Sequence, residues 1–169
     1  MNKVIHIAFA LLFTIILAGC DKVNNNEVPS YVVHIDLGSI AMWNTYGVAG
    51  VGDYRIFNRA KQLPSNFPYN ANTYTGYGGV LLIMALDSST GSYAPQAYDA
   101  ACPVENRQDV TVGIDASNFE AVCSKCHSRF NVLTGMGGPI SGTAFTSHYG
   151  LRIYKAHSTS YGGYIITNQ

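Results

Sequence analysis

Charge is scarce in this sequence. Only 12% of its 169 residues are Asp, Glu, Lys or Arg, and ten acidic residues balance ten basic ones. No excess remains to follow a polyphosphate backbone or to be drawn onto an anionic bilayer, so nucleic acid is not expected as a partner. Long helices are lacking too: no segment sustains a 3.6-residue apolar period, and no repeat recurs at a solenoid spacing. No G-x-S-x-G elbow is present, and glycine-rich stretches such as Gly135-Met-Gly-Gly-Pro139 open no helix that could cradle a phosphate. His34, His148 and His157 stand apart from close carboxylate partners and read as packed or surface side chains. No catalytic residue is assigned, and the chain is not read as an enzyme, electron transfer aside.

What the sequence does hold is apolar and turn-forming: 47% hydrophobic residues, 17 Gly and 12 Tyr. That composition fits one core and an all-β domain rich in turns. Residues 1–19 contain Lys3 as the only early charge, then an apolar run from Val4 to Ala18, too short to span a bilayer. Leu17-Ala18-Gly19-Cys20 resembles the lipobox of bacterial lipoproteins, in which the Cys becomes the acylated N-terminus. Residues 1–19 are therefore expected to be a lipoprotein signal peptide, Cys20 the lipidation site, and 20–29 a solvated tether. A membrane-anchored place in the cell envelope follows, periplasm-facing or at the cell surface. No twin arginine precedes the apolar run, so export is expected through the general secretory route, which threads unfolded chain.

Residues 30–169 are expected to fold as one β domain. Strands are predicted over 31–37, 53–58, 80–86, 93–101, 110–114, 119–122 and 130–133, with a C-terminal hairpin from 151–156 and 164–167. Val80 to Leu86 is apolar throughout and reads as the central strand. Pro64 to Gly79 reads as a long irregular loop whose Tyr69, Tyr74 and Tyr77 pack back on the sheet or stack on a sugar. Gly135 to Pro139 reads as a turn capping the cysteine loops.

Three cysteines follow Cys20: Cys102 in Cys102-Pro-Val-Glu105, then Cys123 and Cys126 in Cys123-Ser-Lys-Cys126-His127. Two loops bearing soft ligands on adjacent hairpins form a rubredoxin-like or zinc-ribbon-like knuckle pair. A ribbon would have a fourth Cys where Glu105 stands, so a metal would take Cys102, Cys123, Cys126 and either Glu105 or His127.

The segments GGVLLI (78–83), AYDAACP (97–103), CSKCHSRFNVLTG (123–135), GGPISGTA (137–144) and LRIY (151–154) resemble, in this order, the Rieske iron–sulfur fold, and more narrowly the Rieske-like lipoproteins of Bacteroidetes. The resemblance implies an antiparallel β-sandwich or barrel with a small two-loop subdomain at about 98–145 that once bound the cluster, and it suggests a [2Fe-2S] cofactor. In that family two Cys hold one iron and two His the other. Cys102 and Cys123 match the thiolate positions, Val104 stands at the first His position, and Cys126 at the second.

Three readings follow for the cysteines. The first is a disulfide, Cys102 with Cys123 or Cys126, or Cys123 with Cys126, leaving no cofactor. The second is a mononuclear zinc or iron site, and the third a retained iron–sulfur cluster. The expected function is accordingly a binding or assembly module with an unidentified envelope protein as partner, and the alternative is electron transfer or metal binding at the loops.

Overall fold

The computed structural model describes residues 27–87, 89–134 and 136–168. The expected signal peptide at 1–19, the lipobox-like Leu17-Ala18-Gly19-Cys20 and the expected lipidation site Cys20 lie outside the described residues. Among the described residues no helix is long and apolar enough to cross a membrane.

The molecule is all-β and antiparallel. Strands β1 (Val33–Ser39), β2 (Tyr54–Phe57), β3 (Tyr74–Thr75), β4 (Val80–Asp87), β5 (Ser92–Asp99), β10 (Ile153–Ser158) and β11 (Gly162–Thr167) form one sheet in the order β2-β4-β5-β10-β11-β1-β3, which curls into a nearly closed barrel. Strands β6 (Val112–Asp115), β7 (Glu120–Cys123), β8 (Arg129–Asn131) and β9 (Gly138–Ser141) form a second, four-stranded sheet in sequence order. The second sheet is an insertion. The chain leaves the barrel after β5 and re-enters at β10, and those two strands pair directly, Ile153 opposite Tyr98 and Tyr154 opposite Ala97.

The apolar run at 80–86 forms the central strand for a reason specific to two-sided burial. Side chains alternate across a strand, and both faces of β4 are covered. Val80 and Leu82 point into the barrel with Ile35, Leu37, Phe57 and Ile166. Leu81, Ile83 and Ala85 point the other way, against Val112, Ala121 and Phe130 of the inserted sheet. A strand buried on both faces has no position to spare for a polar residue. Val80, Leu81, Leu82 and Ile83 are all fully inaccessible.

The structure departs from the sequence expectations at several places. Ile40–Tyr46 is a helix, α1, capped by the Ser39 hydroxyl, which accepts from the Met42 amide at 3.2 Å, and closed by the Gly47 amide donating to the Trp43 carbonyl. With seven residues, it is too short to establish a period. A second short helix, α2, covers Thr143–Thr146. The loop before β4 contains β3, which leaves Tyr74 exposed, while Tyr69 packs edge-on to Phe67 and Tyr77 lies 5.3 Å from Tyr31. Gly138-Pro139, expected in a turn, belongs to β9 and pairs with β8. The solvated tether expected as far as residue 29 ends sooner. Val28 is buried, its carbonyl accepts from Arg152 Nε at 2.8 Å, and the Glu27 carbonyl accepts from the Asn106 side chain at 3.2 Å.

Candidate metal centre

The backbone brings the cysteines together by ladder pairing. After β5 the chain continues alongside the start of β6: Val112 donates its amide to the Ala100 carbonyl at 2.8 Å, and Cys102 donates to Val110 at 3.0 Å. On the other side of β6, Val112 pairs with Cys123, the last residue of β7. Cys102 and Cys123 therefore flank the same short stretch of β6. The turn after β7 is closed by the Cys123 amide donating to the Ser128 carbonyl and the His127 amide donating to the Cys123 carbonyl, both at 3.0 Å. That closure returns Cys126 toward the other two.

The three sulfurs lie within 4.8 Å of one another. Cys102 and Cys126 are in contact, Sγ to Sγ 3.5 Å. The expected disulfide is not formed, and Cys102, Cys123 and Cys126 are all free thiols. A covalent bridge needs ~2.05 Å between two sulfurs, whereas here three sulfurs share one space. Tetrahedral zinc with Zn–S of ~2.3 Å places its sulfurs about 3.8 Å apart. The Cys102–Cys126 contact is close to that value and no pair exceeds 4.8 Å, so the three cysteines together can bind a metal ion.

The surroundings of each sulfur differ. Cys102 and Cys123 are fully buried in the apolar cluster between the sheets, and Cys126 is partly exposed at the turn. Burial pushes the Cys102 thiol well above its ordinary pKa; the Glu105 and Val104 amides oppose this, and the neighbouring sulfurs of Cys123 and Cys126 add to it. Partial burial also works against the charged form of Cys126, but the Ser128 hydroxyl and amide, with Cys102 and Cys123, outweigh it and hold its pKa below the ordinary thiol value. Ser128 is buried, and its Oγ lies 3.3 Å from Cys126 Sγ and accepts the Ala144 amide at 3.1 Å. The Cys126 thiol donates to this hydroxyl, which also accepts the Ala144 amide, and its own O–H is left to turn toward the sulfur once the thiol loses its proton.

Neither candidate for a fourth ligand joins the group. Glu105 forms an ion pair with Lys125 instead. His127 has a left-handed backbone, φ 57°, and is exposed. An imidazole-ligated diiron cluster does not fit these residues. Val104, at the position where the family resemblance requires a His, is a partly buried apolar side chain packed against the core, and the other His position holds the Cys126 sulfur. A mononuclear ion on three thiolates does fit. Among the other histidines, His34 is half-buried on β1 opposite Thr167, and His148 and His157 are exposed.

Two residues that support the centre were not singled out from the sequence. One is Ser128, which gives no signal apart from its place after the Cys-x-x-Cys turn. The other is Asp99, fully buried at the end of β5. Its carboxylate accepts from the amides of Tyr77 at 2.9 Å, Gly78 at 3.0 Å and Ala101 at 2.8 Å, and from the Tyr154 hydroxyl. It thereby anchors the residue preceding Cys102. At Gly78 the approach is so close that a Cβ would sit 2.5 Å from the Ala101 nitrogen, so only glycine fits that turn. An acid inside the otherwise apolar run Ala97-Tyr98-Asp99-Ala100-Ala101 was the available sign.

Comparison with family models, with curated proteins and with solved structures finds no match to this chain.

Proposed function

We propose that the chain is a lipid-anchored protein of the bacterial cell envelope whose Rieske-like domain holds a single metal ion, zinc rather than an iron–sulfur cluster, on the thiolates of Cys102, Cys123 and Cys126. The observation that carries this is the mutual approach of the three sulfurs within 4.8 Å. Soft thiolate donors select zinc or iron among the common metals. Zinc has no geometric demand of its own and accepts three protein ligands with a solvent molecule in the fourth place. Iron on the same thiolates is the variant that would serve electron transfer. The secretory route adds a reason against a preassembled cluster, because a chain exported unfolded acquires its metal outside the cytoplasm. The role is that of a binding or assembly module toward another envelope protein, with the ion holding the inserted sheet in shape. Anchoring rests on Leu17-Ala18-Gly19-Cys20.

The test is metal analysis of the full mature chain, purified in detergent under reducing, oxygen-free conditions. One zinc per chain is expected. Cobalt exchanged into the site should give sulfur-to-cobalt charge-transfer absorption that weakens in each of Cys102→Ser, Cys123→Ser and Cys126→Ser. A preparation without metal, or with two irons and the visible spectrum of a [2Fe-2S] centre, would overturn the proposal.

A further inference from the structure

The three sulfurs are not equivalent, and the difference gives them an order of reaction. Cys102 and Cys123 are fully buried, whereas Cys126 lies on the turn and is partly exposed. A reagent arriving from solvent therefore meets Cys126 first. The sulfur in contact with it is that of Cys102, at 3.5 Å, so closing to the ~2.05 Å of a disulfide takes about 1.5 Å. Cys123 is a poorer partner for Cys126. The two lie in one tight turn, whose closure uses both backbone groups of Cys123, the amide toward Ser128 and the carbonyl toward His127. Bridging them would distort that turn, whereas Cys102, whose amide and carbonyl are also held, by Val110 and Asn106, lies on a separate loop with its sulfur already against that of Cys126.

We propose that Cys126 is an oxidation site for hydroperoxides and Cys102 its resolving partner, so that oxidation joins Cys102 to Cys126 and expels the metal. In the first step the Cys126 sulfur attacks one peroxide oxygen. An S–O bond forms, the O–O bond breaks, and the other oxygen leaves as hydroxide, which a proton from the buffered medium converts to water; Cys126 is oxidised to the sulfenic acid. In the second step the Cys102 sulfur attacks Cys126 Sγ. The S–S bond forms, the S–O bond breaks, and hydroxide leaves and is protonated to water. Two thiolates, one hydrogen peroxide and two protons thus give one disulfide and two waters. A metal left with Cys123 alone has lost two of its three protein ligands, and it is released. The bond-forming steps need only the thiols, while the release rests on the metal reading above.

The experiment treats the full mature chain, loaded with zinc in the absence of oxygen, with one equivalent of hydrogen peroxide. Zinc release is followed with a chromogenic chelator, and the cysteines by non-reducing peptide mapping. One zinc released per chain, with Cys102 linked to Cys126 and Cys123 still open to alkylation, is the expected result; dithiothreitol and zinc should restore the starting state. Cys126→Ser should slow the reaction with peroxide at least tenfold, and Cys102→Ser should let dimedone trap Cys126 as its sulfenic acid. A bridge that includes Cys123, or zinc released without any bridge, overturns the proposal, and the mapping of the unaltered chain decides this even where a variant fails to fold. If the chain takes up no zinc, the metal reading fails and the mapping of the peroxide-treated thiols still decides the pairing.

Discussion

The barrel and the inserted sheet solve the same problem with different means. The barrel has strands of up to eight residues and a core of aliphatic and aromatic side chains, Ile35, Leu37, Phe57, Leu82 and Ile166 among them. The inserted sheet has strands of three or four residues, and two of its buried side chains are thiols. Strands so short bury little on their own. Their stability depends on the face they share with β4 and, in our proposal, on the ion that ties the Cys102 loop to the Cys123–Cys126 turn. Two sheets built on one chain thus need not share one source of stability.

Removing the metal should separate the two regions most sharply. Binding free energies of structural zinc reach about 10 kcal/mol or more. Stripping the ion with a strong chelator under reducing conditions should therefore expose the amides of β6 to β9 to hydrogen exchange, while β4, β5 and β10 stay protected. Equal loss of protection in both sheets would dissolve the distinction. Asp99→Ala should have the next largest effect, and on both regions together, because the carboxylate stands where the chain passes from one to the other. The buried amides of Gly78 and Ala101, the half-buried amide of Tyr77 and the Tyr154 hydroxyl would lose their acceptor. An unsatisfied buried donor costs about 1 to 3 kcal/mol, so urea denaturation should show a loss above about 3 kcal/mol.

The smallest effect concerns pH and comes from two tyrosines on barrel strands, Tyr98 packed toward the inserted sheet and Tyr154 in the barrel core. Burial raises the Tyr98 hydroxyl far above its ordinary value of 10.0, and burial with the nearby Asp99 carboxylate does the same for Tyr154. Both stay protonated in the folded chain when the unfolded chain begins to ionise. Their contribution is complete below pH 10 and declines as pH rises further, by at most about 1.4 kcal/mol per pH unit for each group. Denaturation midpoints should fall between pH 9 and 11, and Tyr154→Phe should make that fall shallower.

Much of this division was legible in the sequence, for physical reasons that also mark its limits. An unbroken apolar run such as Val80 to Leu86 has one economical explanation, burial on both faces, and the structure has it so. Cysteine spacing likewise pointed to two loops at one place. The expected disulfide was not legible in the same way, since spacing counts residues between thiols and says nothing of a third sulfur sharing their space. Glu105 and His127 were equally beyond reach. Whether an acid faces a metal or a neighbouring Lys125, and whether a histidine backbone turns left-handed, depends on the closed turn. Helix α1 went unseen because seven residues held by a Ser39 cap and a Gly47 stop carry almost no periodic signal.

The packing of Glu27 and Val28 on the fold has a bearing on height above the membrane. Glu27 is held by Asn106, and Asn106 donates its own amide to the Cys102 carbonyl, so the chain enters the domain beside the cysteine loop. From Cys20 to Glu27 is seven residue steps, at most about 25 Å when fully extended. With Cys20 lipidated as proposed, the loop that carries Cys102 is moored on a short line. It would work within a few nanometres of the bilayer.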